Sequence, residues 1–139
     1  AAAGDPANRS AADVIAVGDL GAVLRWVGLV PGPAPALRRL VSADALLGEL
    51  VEYLKVRFDG RPDRVTSSLT EIQFAVHEWY PTWPVAARLA EIATGGGVEL
   101  DATLLVPVAV AADTGLPLAT TSTEVAELAA PHVGSVLLV

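Results

Sequence analysis

The segment at 42–58 constrains the fold most, because its apolar residues recur at the spacing of a helix with one buried face. Within SADALLGELVEYLKVRF, six apolar residues share that face: Leu46, Leu47, Leu50, Val51, Leu54 and Phe58. Ser42 is a favourable N-cap residue, and Glu52 can pair with Lys55 on the opposite face. We therefore predict a helix over 42–58 against which the core is built.

The composition bounds the class of protein. The chain has 139 residues, no Cys and a formal net charge of −7, and 53% of its residues are hydrophobic. This length suffices for one domain with its own core. The absence of Cys excludes disulfides and thiolate chemistry. The acidic balance argues against nucleic acid as the main partner, because phosphate binding requires clustered Lys and Arg. No apolar run reaches the ~18 residues of a membrane span, so we predict no membrane association.

The first third of the chain is predicted to be an N-terminal arm followed by a stiff linker. DVIAV at 13–17 is typical of a short strand or of the start of a helix, and Asp19 can cap a helix that follows. The run VIAVGDLGA is also similar to a phosphate-binding turn and to the Gly-Asp turn of metallophosphoesterases, but it lacks the further residues that those sites need. PGPAP at 31–35 is stiff because each Pro fixes φ. We therefore predict an arm and Pro-rich linker at 1–36 and one domain at 37–139.

The segment at 66–80 fits two structures. A capping box at Ser68–Glu71 and apolar residues at helical spacing favour a helix, whereas alternation around Phe74 favours a half-buried strand. We favour the helix. The aromatic residues Trp79, Tyr80 and Trp83 follow it among prolines. Such a cluster is typical either of a ligand or peptide groove or of a plug between two elements, and we expect it to fill a corner.

The C-terminal half is predicted to close the domain with a β-α-β unit. An apolar run at 98–112, bent at Pro107, is typical of strands, and Thr121 to Glu124 forms a capping box that opens a helix. The apolar run at 133–139 is typical of a strand buried on both faces. The predicted class is α+β: a helical N-terminal half packed on a small sheet, which ends in the β-α-β unit.

One string in this half suggests catalysis. VAVAADTGLPLATTSTEVAEL resembles the active-site segment of retropepsin-like aspartic proteases, in which an apolar strand leads into Asp-Thr-Gly. The resemblance implies that Asp113 is catalytic, that Thr114 and Gly115 support it, and that two copies of the Asp share a proton in a dimer. The 24 residues after Gly115 are too few for the rest of that fold. A plain turn at Asp113 is the interpretation we adopt.

Other candidates for chemistry are sparse. His77 and His132 are the two histidines, and neither has a second metal ligand at helical spacing. We therefore predict no metal and no cofactor. An enzyme would need a pocket where two or more of Asp113, Asp101, Glu78 and His77 converge.

We expect a non-enzymatic structural or protein-interaction subunit of a homo-oligomer or larger assembly, in the cytoplasm or on a particle. A small hydrolase of the retropepsin type that uses Asp113 is the alternative. The predicted contact surfaces are the arm at 1–10 and the C-terminal strand, since an apolar strand at a sheet edge invites pairing. Charge is also segregated, because no Lys or Arg follows Arg88. We interpret this pattern as solvated faces that differ in sign, with a head-to-tail contact between a basic and an acidic face as the alternative.

Overall fold

The computed structural model describes residues 14–95 and 102–139, and side chains at 14–92 and 105–139. Along these residues one or more helices separate each strand from the next. The strands are β1 (Ile15–Gly18), β2 (Arg39–Ala43), β3 (Trp79–Tyr80), β4 (Leu118–Thr120) and β5 (Val136–Leu138). The helices are α1 (Leu20–Trp26), α2 (Leu46–Arg57), α3 (Pro62–Ala75), a 3-10 turn (Trp83–Val85), α4 (Ala86–Gly95), α5 (Ala102–Thr114) and α6 (Thr123–Ala129). The predicted mixture of helices and sheet is confirmed.

The five strands form one parallel sheet in the order β3-β2-β1-β4-β5. Alternate residues of each strand enter two separate cores, as the two-residue period of a strand requires. Ala16, Leu40 and Ala119 pack with α1, α2 and α3 on one face. Val17, Val41 and Leu118 pack with α4, α5 and α6 on the other. The molecule is therefore a sheet covered by helices on both faces.

Strand β1 occupies the centre of this sheet, between β2 and β4. The fold therefore does not divide at the predicted boundary between 1–36 and 37–139, because β1 and α1 belong to the core. Ala16 and Val17 are fully buried, which a terminal arm would not be. The predicted contact arm at 1–10 lies outside the described residues.

The predicted core helix is present, but it begins later than its sequence pattern indicates. Ser42 lies in β2, and α2 starts at Leu46 after an N-cap residue, Ala45, that makes no side-chain cap. The buried stripe consists of Leu46, Leu50 and Leu54. The preference for helix at 66–80 is confirmed as far as Ala75, because α3 runs from Pro62 to Ala75, before the two-residue strand β3. The helix begins after Arg61, so the predicted capping box at Ser68–Glu71 lies within it.

The predicted strands at 98–112 are wrong in the described part of that segment, which belongs to α5. All residues from Leu105 to Ala111 are buried, including Pro107, which lies inside the helix. A helix that is apolar all round has no amphipathic period, so its sequence resembles that of a buried strand. The closing β-α-β unit is confirmed, but β4 at Leu118–Thr120 is its first strand. None of the helices in the described residues is long and apolar enough to cross a membrane.

Candidate functional site

The strand order reverses between β1 and β4. The chain adds β2 and β3 on one side of β1, and then β4 and β5 on the other. In open parallel sheets of this kind, the connections on either side of the reversal diverge and leave a crevice at the carboxyl ends of the strands, where ligands bind. In this chain Asp19 follows β1 and Thr120 ends β4, so these two residues lie at that edge.

Asp19 makes two side-chain contacts at this edge. Its Oδ1 accepts a hydrogen bond of 2.9 Å from the backbone N–H of Ala22, which caps α1. Its Oδ2 accepts a hydrogen bond from the hydroxyl of Thr120. The Thr120 hydroxyl in turn accepts from the backbone N–H of Ser122, 3.1 Å away. Asp19 therefore fixes the start of α1 and joins the ends of two adjacent strands.

The Asp19 side chain is almost fully shielded from solvent, since the residue is only 7% exposed. Burial raises the pKa of Asp19 above its ordinary value, and the hydrogen bonds from Thr120 and Ala22 only partly oppose this effect. No Lys, Arg or His of the described residues forms an ion pair with it. A buried carboxylate without a cationic partner is a candidate for a functional group.

A hollow of about 510 Å³ lies next to the start of α1. Leu20, the residue after Asp19, forms part of its wall, and Ala45, Gly48, Glu49 and Glu52 of the β2–α2 region form the rest. Glu52 pairs with Lys55 at 3.2 Å. The half-buried Glu49 carboxylate has neither a hydrogen bond nor an ion pair within the described residues. The charged residues of the described part of the chain that line the hollow are therefore both acidic.

Side chains pack closely against the backbone of Gly18 and Gly21 at this edge. The Ser42 hydroxyl of β2 donates a hydrogen bond of 2.8 Å to the carbonyl of Gly18 in β1. A Cβ at Gly18 would lie 2.9 Å from Leu40 Cδ1, and a Cβ at Gly21 would clash with Thr121 Oγ1. A side chain at either position would therefore have to displace the neighbouring Leu40 or Thr121 side chain.

A second contact joins the carboxyl ends of β2 and β3. Asp44 Oδ1 accepts hydrogen bonds from the hydroxyl and the backbone N–H of Thr82, at 2.8 and 3.2 Å. Asp44 is exposed, so this contact lies at the rim of the same edge and not in the crevice. In the described residues, no group of three or more Asp, Glu or His side chains is arranged to hold a metal ion.

The structure does not bring the sequence-predicted candidates together. Asp113 lies exposed in the last turn of α5, before β4 begins, so the apolar strand on which the protease resemblance rests is absent. His77 and Glu78 precede β3, which is three strand spacings from β4, or about 14 Å. His77 Nε2 lies 3.0 Å from Arg39 Nη1. Asp101 lies outside the described residues, and His132 follows α6.

The aromatic residues around Pro81 differ in their exposure to solvent. Trp79 and Tyr80 form the edge strand β3, and both are half-buried. Burial and the neighbouring Glu78 raise the pKa of Tyr80. Trp83 is 87% exposed, so it does not fill the corner predicted for it.

The opposite edge of the sheet is β5. Leu138 is 57% exposed there, and Leu137 is half-buried against the α1 side of the sheet. An apolar strand therefore ends the sheet with no further strand beside it in the described residues.

Sequence reasoning missed the pairing of Asp19 with Thr120. The string AVGD did indicate a strand followed by a cap, but nothing local marks Thr120 as the partner of a residue 101 positions earlier. Neither the protein-family models nor the curated proteins compared with this chain give a match, so no family is assigned.

Proposed function

We propose that this domain binds a divalent cation at the carboxyl edge between β1 and β4 and presents it to an oxygen-rich substrate such as a phosphate ester. The observation that carries the proposal is the buried Asp19 at the reversal of strand order, which has no Lys, Arg or His partner in the described part of the chain. Glu49 supports it, because this second carboxylate lines the hollow next to Leu20 and pairs with none of the described residues.

The choice of ligand follows from charge. Glu49 and Glu52 line the hollow, and Asp19 precedes Leu20 in its wall. Lys55 offsets the charge of Glu52 alone, so the net field of the region is negative and repels a free phosphate. A cation offsets the cost of burying the Asp19 charge, and Mg²⁺ in proteins commonly takes one or two carboxylates and completes its shell with water and substrate phosphate oxygens. A bound cation would activate such a substrate as a Lewis acid.

The test uses Mn²⁺ as a paramagnetic probe and Mg²⁺ as its competitor. We expect Mn²⁺ to broaden the amide signals of Leu20 and Gly48 first, and Mg²⁺ to reverse the effect. Glu49→Gln should weaken Mn²⁺ binding by about tenfold or more, since a charged ligand is lost. Glu71→Gln, which changes an exposed Glu on α3, is the matched control.

A nucleoside monophosphate then tests the substrate class. It should bind in the presence of Mg²⁺ and not in the presence of a chelator. Diffuse broadening over all acidic surfaces, or equal Mn²⁺ affinity in Glu49→Gln and Glu71→Gln, would contradict the cation site.

A second proposal concerns assembly, and the exposed edge of β5 favours it. Unpaired N–H and C=O groups on an apolar edge strand form a template for another strand. We propose that the domain also serves as an interaction subunit that associates through this edge. Leu138→Lys places a charge there and should lower the mass measured by sedimentation, whereas Leu47→Lys on α2, where the side chain is 40% exposed, should not. A monomer at every concentration would count against self-association.

A further inference from the structure

A groove of about 520 Å³ lies between β5 and the Pro-rich segment that follows α1. Its walls are Pro33, Ala34, Pro35, Ala36, Leu37, Val136, Leu137, Leu138 and Val139, with one charged side chain, Arg25. The proline wall is rigid because the ring of each Pro fixes φ. The groove is thus a preformed apolar channel that runs beside a strand.

Arg25 is the feature that identifies an occupant. In the described residues its guanidinium has no ion-pair partner, and its Nε is buried without an acceptor. The guanidinium packs against the backbone of Gly32, where a Cβ would lie 3.0 Å from Arg25 Cζ. A charged group held in place with unused donors is unfavourable by itself and favours a carboxylate that supplies an acceptor.

The backbone of β5 supplies the second half of the site. Ser135 C=O and Val139 N–H bond to β4. Because hydrogen bonding alternates along a parallel ladder, the N–H and C=O groups of Val136 and Leu138 point to the outer edge. A strand added there would form main-chain hydrogen bonds, while its side chains reach the groove.

We propose that this groove binds an extended apolar segment of a partner protein in which one acidic side chain pairs with Arg25. This proposal rests on the interaction role proposed above for the β5 edge, and it specifies the chemistry of the partner. Charge complementarity selects an acidic segment: a guanidinium in apolar surroundings gains most from a carboxylate, which it can bind through two parallel hydrogen bonds. The apolar walls select the flanking side chains.

The experiment compares two short capped peptides of alternating Val and Ser that differ only in a central Glu or Gln. Fluorescence anisotropy measures their affinity for the full chain and for two variants, Arg25→Gln and Arg64→Gln. Arg64 is an exposed Arg on α3, away from the groove, and serves as the matched control. Amide shifts of Val136 and Leu138 locate the bound peptide.

We expect the Glu peptide to bind about tenfold more tightly than the Gln peptide to the wild-type chain and to Arg64→Gln. This preference should disappear in Arg25→Gln. Equal affinity of the two peptides for the wild-type chain would overturn the inference, whether or not Arg25→Gln folds. Peptide binding that shifts amide signals away from Val136 and Leu138 would also overturn the inference. A groove that is occupied by a second copy of the chain and does not bind the peptide would overturn it as well. Peptide binding by a monomeric chain would support the inference even if self-association through β5 fails.

Discussion

The Thr120 hydroxyl donates a hydrogen bond to Asp19 Oδ2 across a sequence separation of 101 residues. Both residues are buried, and each stands where a central strand meets the connection that follows it. The bond therefore couples the start of α1 to the segment after β4, where the connections on the two sides of the reversal diverge. The cap of α1 and the proposed cation site both depend on this one carboxylate, which also adds a side-chain bond to the backbone pairing of β1 with β4.

Thr120→Val should lower the free energy of unfolding by about 1–3 kcal/mol, because it leaves Asp19 Oδ2 buried with one partner fewer. It also removes the acceptor for the Ser122 N–H. Urea denaturation measures the loss. Thr66→Val, at an exposed position of α3, is the control and should stay within about 0.5 kcal/mol of wild type. Equal stability of the two variants would show that the hydroxyl is dispensable.

Asp19→Asn should change the pH dependence of stability. Burial raises the pKa of Asp19 in the folded chain above 3.8, so the folded chain keeps a proton that the unfolded chain has released. The stability that Asp19 contributes is thus fully present below pH 3.8 and falls as pH rises through the raised pKa. Asn keeps a cap oxygen but does not titrate.

Urea denaturation of both chains across this range, with a chelator present, checks the prediction. Asp19→Asn should gain stability relative to wild type as pH rises from below 3.8 to neutrality. A difference that is constant with pH would mean that Asp19 titrates alike in the folded and unfolded chains.

Gly21→Ala should destabilise the fold by about 1–3 kcal/mol, because the new Cβ meets the Thr121 side chain. The second change Thr121→Ala removes the atom that clashes and leaves Thr121 Cβ at 3.2 Å, a distance that a small shift accommodates. The double variant should therefore recover most of the loss, and thermal unfolding of the four chains gives the coupling. Additive effects would place the two side chains out of contact.

Leu50→Ala or Leu54→Ala should each lower the free energy of unfolding by about 2–5 kcal/mol, since both side chains are fully buried in α2. Leu47→Ala, on the outer side of the same helix, should change it by less than about 1 kcal/mol. Denaturant midpoints that do not distinguish Leu50 from Leu47 would contradict the buried stripe.

Much of the local structure was predictable because its cause is local. The apolar period marks α2 and its buried leucines, and Asp19 was recognised as a helix cap from its place after a short apolar run. The closing β-α-β unit was also predicted, because the polar run Thr121 to Glu124 and the apolar run at the end of the chain each carry their own signal, although the cap residue in the structure is Ser122 and not Thr121. These features depend on neighbours within about one turn of helix or one strand.

The sequence by itself determined a mixed helical and sheet domain, the main amphipathic helix and the absence of thiol chemistry. Only the tertiary structure decided that β1 is central, that the run before Asp113 is a buried helix and that Asp19 meets Thr120. Two physical reasons account for these cases. Full burial removes the alternation of polar and apolar residues from which an element is recognised, and the partners in a parallel sheet are brought together by crossovers that no local pattern specifies.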